Sequence, residues 1–217
     1  MKPVDQKIYL ASKSPRRREL LRQIGIDFEL LMLRDQTPRG PDVSEIVLPG
    51  EAAEVYVARV TQEKVAFAWK TLLQRRLPLR PVLAADTTVV IDGDILGKPV
   101  NKADAIAMLQ RLSGRTHQVL TGIAVQHQSH TAQQDGQPDD QAILHALHCS
   151  TVTFDSLSDA TIQAYCASQE PYDKAGGYGI QGMAASFISH ISGSHSGIMG
   201  LPLFETAQLL RRSGIRL

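Results

Sequence analysis

Ser12, Ser14, Arg16 and Arg17, in the run "LASKSPRRRELL" of residues 10–21, are of types that hold an anion. Hydroxyls donate single hydrogen bonds, and guanidinium groups present forked N–H pairs that match phosphate oxygens. The run follows the apolar stretch Ile8–Ala11, and Ser14-Pro15 reads as a helix start, with Ser14 as N-cap and Pro15 at the first helical position. A helix N-terminus carries the positive end of the dipole, so Arg16, Arg17 and Arg18 are unfavourably placed there unless an anion compensates. A solvated basic helix face is the bland alternative. The misplaced charge favours a phosphorylated ligand.

A second candidate is Asp86, in "LAADTTVVIDGDILGKP", residues 83–99. It interrupts an apolar run, where a carboxylate is costly unless paired or bound to metal. General-base or metal-assisted chemistry uses such a group; a structural carboxylate hydrogen-bonded to backbone is the alternative. Lys98, just before Pro99, can reach the same mouth. Asp92 and Asp94 belong to a hairpin turn and read as solvated. In "YDKAGGYGIQG", residues 172–182, Asp173 and Lys174 precede four glycines in seven residues. The string matches G-x-G-x-x-G, but the strand, helix and downstream acid of a dinucleotide site are missing. The glycines read instead as allowing close backbone approach to a ligand. Gln181 is the one side chain there with both a donor and an acceptor, as reading a base edge requires. His127, His130, His145 and His148 show no fixed metal-ligand spacing.

These residues need elements to hold them. Periodicity and turn signals predict strands at Ile8–Ala11, Phe28–Leu33, Pro81–Ile91, Ile95-Leu96, His117–Gln126, Ala142–Phe154 and Phe187–Ile191. Helices are predicted from Ser14 to Gly25, Glu51 to Gln74, Lys102 to Leu112, Ser158 to Ser168 and Pro202 to Arg212. Lys64 falls on the apolar face of the long one, in step with Ala53, Val57, Val60 and Ala68. Residues 34–50 and 170–182 read as irregular, and His127–Gln141 as a solvated hairpin tip. Strands and helices alternate at first and strands then become adjacent, which gives an α/β or α+β chain with a mixed sheet. No linker or repeat divides it, so residues 1–217 read as one domain.

Composition limits the function classes. The net charge of +1 over 217 residues gives no global field for nucleic acid or an anionic membrane. Positive charge is local, in Lys13, Arg16, Arg17, Arg18 and Arg22, which favours a small anionic ligand. Two cysteines, Cys149 and Cys166, make no disulfide framework and fit a reducing compartment. No signal peptide or membrane-length apolar run is visible, so the expected location is cytoplasmic.

With the segments placed, the chain resembles the Maf family of nucleoside triphosphate pyrophosphatases. The residues that carry this are "LASKSPRRRELL" (10–21), "AADTTVVIDGDILGKP" (84–99), "MLQRLSGRTHQVLTGIAV" (108–125), "DKAGGYGIQG" (173–182) and "GLPLFET" (200–206). The late motif is similar to that of the branch acting on dTTP and UTP. The resemblance implies a mixed, elongated, twisted α/β sheet flanked by helices, with two lobes and a cleft between them (Maf/ITPase-like), usually as a homodimer. It implies hydrolysis between the α and β phosphates of a nucleoside triphosphate with a divalent cation, Mg or Mn. On that pattern Asp86 activates water, with Lys64 and Lys98 as catalytic lysines. Ser12, Ser14, Arg16 and Arg17 face phosphate, and Asp173 and Lys174 form the "DKAG" pair. Arg16, Thr87 and Gln181 match positions associated with choice of a pyrimidine. A metal-binding acid is expected after the second strand, beside Asp86. The region "LRDQTPRGPDVSEI" (33–46) looks expanded, and Glu45 is the choice, with Asp42 next. The rival readings are a pyrophosphatase for modified purine triphosphates and a non-catalytic nucleotide- or nucleic-acid-binding regulator of septum formation. A bare anion binder has no need of a carboxylate beside its phosphate site, which favours the enzyme.

Overall fold

The computed structural model describes residues 6–34, 40–128 and 141–217. Most of the expected hairpin tip, including His130, therefore lies outside the described residues. Among the described residues seven strands form one mixed sheet: β1 (Ile8–Leu10), β2 (Phe28–Leu30), β3 (Val82–Ile91), β4 (Asp94–Leu96), β5 (Thr116–Gln128), β6 (Gln141–Phe154) and β7 (Ile188–Ser192). Their order is β2-β1-β3-β5-β6-β7, with β4 also paired to β3. The first three neighbours run parallel and the rest antiparallel. The helices are α1 (Pro15–Gln23), α2 (Ala53–Gln74), α3 (Lys102–Leu112), α4 (Asp159–Cys166), α5 (His195–Ile198) and α6 (Leu203–Arg212).

Alternation along β3 sorts the core. Val82, Ala84 and Val90 pack under α2, whose inward side chains include Val57, Val60, Val65 and Ala68. Leu83 and Ala85 face the other way, against Leu20 and Leu21 of α1 and Leu209 and Leu210 of α6. Val89 and Ile91 share that second face but join a separate cluster with Leu109 of α3 and Tyr165 of α4. Two apolar clusters thus lie on one side of the sheet, and Thr87 falls between them. On the α2 side, Asp86 pairs with Gly122 of β5. A Cβ at Gly122 would stand 2.6 Å from Thr61 Oγ1 and 3.1 Å from Val57 O. Its absence lets α2 lie close on the sheet at the level of Asp86.

The edge of β3 is open where it matters. β1 pairs with β3 only at Val82 and Leu83, and β4 only at Val89–Ile91. Among the described residues, Ala85–Thr88 have no strand neighbour on that side. The sequence places Asp86 within a continuous strand, and the structure adds a break in the sheet beside it.

His117 of β5 is buried, with Nε2 2.6 Å from the Tyr178 hydroxyl and its ring edge-on to Phe154 and Tyr178. Burial pushes its pKa down from 6.5 to about 4. The folded protein therefore keeps His117 neutral while the unfolded chain protonates it. Stability is unaffected above pH 6.5 and falls as pH drops from 6.5 toward 4. Urea unfolding should show a loss of about 2 kcal/mol between pH 7 and pH 5. His117→Gln should flatten that slope, and an unchanged slope in the variant would assign the acid sensitivity elsewhere.

Candidate active site

A cleft of ≈380 Å³ opens at the break in the sheet. Its lining brings together Ser12, Ser14, Arg16, Arg17, Glu45, Lys64, Asp86, Thr87, Lys98, Asp173 and Lys174. Of the residues given a catalytic, substrate or first-choice metal role above, all are there except Gln181, which is exposed and absent from the lining, although Gly179 and Ile180 before it contribute.

The first wall is the turn into α1. Ser14 caps the helix as expected, its Oγ accepting from Arg17 N at 3.5 Å. Ser12 Oγ accepts from Ser14 N and from Arg17 Nη1, both at 3.2 Å. With both lone pairs engaged, the Ser12 proton is the part of that hydroxyl left to donate. The cap, and the bond from Arg18 N to Ser14 O, occupy N–H groups that the sequence reading offered to an anion. Pro15 has no N–H, so Arg16 N–H is the remaining donor of the first turn.

Arg16 and Arg17 part company. Arg17 Nε donates to Gly200 O at 2.7 Å, Nη1 to Ala85 O at 2.7 Å, and Nη2 to Thr87 Oγ1 at 3.2 Å. It fills the open edge of β3, binding the residues on either side of Asp86. Burial lowers its pKa, opposed by the charges of Asp86 and Glu45; a guanidinium stays protonated regardless. Most of its donors are spent inside the protein, although Arg17 also lines the cleft. Arg16 Nη1 reaches 3.8 Å from Asp173 Oδ2 and remains partly exposed in the cleft.

Thr87 is similarly engaged. Thr121 Oγ1 lies 2.8 Å from Gly197 O and 3.1 Å from Thr87 Oγ1. A carbonyl only accepts, so the Thr121 proton goes to Gly197 and the Thr87 proton goes to Thr121. Thr87 thus gives its proton to Thr121 and accepts from Arg17, which leaves one lone pair of its oxygen to accept from a ligand.

The opposite wall is acidic. Lys64 Nζ sits 2.7 Å from Asp86 Oδ1 and 2.6 Å from Glu45 Oε1. Glu45 and Asp42 differ in place. Asp42 accepts from Arg34 N at 2.7 Å and braces its own loop, whereas Glu45 lines the cleft. Tyr56 OH donates to Glu45 O at 3.1 Å, and Arg59 Nη2 to Ile46 O at 3.0 Å. Arg59 also grips Glu51 through Nε and Nη2 at 2.7 and 2.8 Å. The hydrogen bonds from Arg59 and from Leu48 N hold the Glu51 pKa down to about 2. Burial, with Asp86 and Glu45 nearby, pushes Tyr56 up to about 12. Tyr56 and Arg59 escaped the sequence reading. Tyr56 was findable, since Tyr56, Val60 and Lys64 recur every four residues on one helix face.

Lys174 Nζ donates to Asp173 Oδ1 at 2.5 Å and to Glu170 O at 2.7 Å. Burial raises the Asp173 pKa, but the Lys174 hydrogen bond and charge outweigh it and the net shift is down. The glycines here make room for the protein itself. A Cβ at Gly179 would meet the Lys174 stem at 2.7 Å, and one at Gly182 would meet Glu170 Oε1 at 2.1 Å. The expected close approach is real, but these neighbours are side chains of the same loop. Lys98 stands exposed on the rim. The segment 194–200, whose Met199 and Gly200 also line the cleft, carried no signal strong enough to be read as α5.

The residues fit a divalent cation. Glu45 and Asp86 are hard oxygen donors converging on one position already taken by an ammonium. Among the described residues no group of three His, Cys, Asp or Glu is arranged to hold a metal. One or two carboxylates, completed by water and phosphate oxygens, is the usual protein share of a magnesium site. His148 is otherwise committed: Nδ1 bonds Glu205 Oε1 at 2.7 Å and Nε2 accepts from Ser194 N at 3.1 Å.

Fold and site define a mixed α/β protein whose cleft is lined by cationic side chains and a carboxylate pair. The chain belongs to the Maf family: the family model described as Maf-like protein matches residues 7–213. It is 50% identical over 210 residues to the "dTTP/UTP pyrophosphatase" of Dechloromonas aromatica (strain RCB), covering 97% of this chain and 98% of that one. The protein of the same name from Nitrosomonas europaea is 51% identical over 213 residues, covering 98% and 97%. That from Aromatoleum aromaticum is 51% identical over 215 residues, covering 99% and 98%.

Arg17→Lys keeps the charge but cannot span Gly200, Ala85 and Thr87 together. It should lose about 2 kcal/mol or more of unfolding free energy in urea. Wild-type stability in this variant would show that the guanidinium does not hold the edge of β3.

Proposed function

We propose that the chain is a nucleoside triphosphate pyrophosphatase that hydrolyses dTTP and UTP between the α and β phosphates, giving monophosphate and pyrophosphate. The observation that carries this is one cleft lined both by Asp86, Lys64 and Glu45 and by the Ser12–Arg17 turn. Near-full-length identity of about half the residues to proteins named for that activity supports the same substrate.

The triphosphate brings negative charge that repels an attacking water. Arg16, Lys98 and Lys174, with the Ser12 hydroxyl and Arg16 N–H, offset that charge along the phosphate chain. Asp86 orients the attacking water. Arg17 keeps Asp86 in place from both sides, and Tyr56 does the same for the Glu45 backbone. The chemistry that magnesium or manganese supplies, when held by Asp86 and Glu45, is polarisation of the α-phosphate. The flank formed by Val89, Val119, Tyr178, Ile180, Ile198 and Met199 offers apolar surface for a nucleobase ring. Gln181, standing beside that flank, is the proposed reader of the base edge.

The same reading places the protein in the cytoplasm, since Cys149 and Cys166 are both free thiols. Among the described residues no helix is long and apolar enough to cross a membrane. A homodimer is the assembly the family resemblance implies, and the near-zero net charge gives no reason to expect nucleic acid as a partner.

The test is pyrophosphate release across a panel of canonical and modified triphosphates, with Mg²⁺ or Mn²⁺. dTTP and UTP should lead the panel. Asp86→Asn should cut kcat by about 100-fold or more while nucleotide binding persists. Preference for modified purines, or full activity in Asp86→Asn, would overturn the proposal.

A further inference from the structure

Lys64 is a charged side chain in a position where a cation is expected. Its ammonium touches Glu45 Oε1 and Asp86 Oδ1 at 2.6 and 2.7 Å, and the side chain is 15% exposed. These are the two carboxylates that would hold a divalent ion, and one oxygen of each is taken by the ammonium. The chain that carries each carboxylate is held in place. Asp86 lies on β3, bracketed by the Arg17 bonds to Ala85 and Thr87. Glu45 lies in a loop tied to α2 through Tyr56 and Arg59. Gly122 keeps α2, and therefore the Lys64 backbone, close on the sheet.

From this geometry we infer that Lys64 is a resident counter-cation that competes with free divalent metal for the Glu45–Asp86 pair and yields it when a metal–triphosphate arrives. The inference rests on the metal reading given under Proposed function. A tethered ammonium has a high effective concentration at its site. A hydrated ion arriving alone must displace it and leave a lysine without its partners in a partly buried cleft. A metal–triphosphate supplies phosphate oxygens that can receive the displaced ammonium. Lys64 thus makes the site a poor trap for free ions and a good one for the loaded nucleotide. It acts both as guard of the empty carboxylate pair and as a phosphate partner afterwards.

The experiment uses the full chain at one fixed pH and titrates Mn²⁺ alone, followed by electron paramagnetic resonance. A second titration uses Mn²⁺ with a non-hydrolysable α,β-imido dTTP. Lys64→Met should bind Mn²⁺ alone about tenfold more tightly than wild type. It should show no matching gain for Mn²⁺ with nucleotide. Lys64→Gln serves as a second variant should the methionine disturb folding, which circular dichroism would reveal. Adding Glu45→Gln to either variant should abolish the gain, locating the ion. Equal or weaker Mn²⁺ affinity in both lysine variants, with binding still dependent on Glu45, would overturn the counter-cation role and leave the metal reading standing. Mn²⁺–nucleotide binding indifferent to Glu45→Gln and Asp86→Asn would instead overturn the metal reading, and the inference with it.

Discussion

One half-buried guanidinium fixes the arrangement on which the cleft depends. The sheet is interrupted at Ala85–Thr88, where neither β1 nor β4 reaches β3. An open strand edge inside a protein leaves a carbonyl without a partner, which is costly. Arg17 supplies the partner from α1, seventy positions away from Thr87, and simultaneously ties down Gly200 of the segment before α6. Three distant stretches therefore meet at one side chain. Because strand alternation sends Asp86 to one face and Thr87 to the other, securing their neighbours also fixes the direction of the Asp86 carboxylate.

That constraint separates two jobs the sequence presents as one. Three consecutive arginines look interchangeable in a string, yet a helix turns about 100° per residue and aims each differently. Arg17 turns inward and becomes structural, while Arg16 turns along the cleft toward Asp173. The opposite wall divides its labour in the same way: Asp86 and Glu45 carry the charge, Tyr56 and Arg59 hold the Glu45 loop, and Lys64 sits between the acids. A cleft with both signs of charge suits a metal-loaded polyanion better than a bare one.

Much of this was legible in advance wherever local chemistry decides the outcome. Ser14-Pro15 opens α1, Asp92-Gly93 turns the β3–β4 hairpin, and Lys102–Leu112 is a helix over the expected residues. The inward placement of Lys64 followed from helical period alone. What escaped depends on long-range packing. β2 is shorter than its apolar run, ending at Leu30, because β1 offers only three residues to pair with. The glycines at Gly179 and Gly182 could equally admit a ligand or a neighbouring side chain, and only the placement of Lys174 and Glu170 decides between them. Gln181 has suitable chemistry, but an irregular loop has no period from which to read direction.

The most direct measurement is a crystal structure of the protein with Mn²⁺ and α,β-imido dTTP. The anomalous manganese peak should lie against the Asp86 carboxylate, with the phosphate chain along Ser12–Arg16. A nucleotide seated away from the gap beside β3, or manganese out of contact with Asp86, would contradict the account.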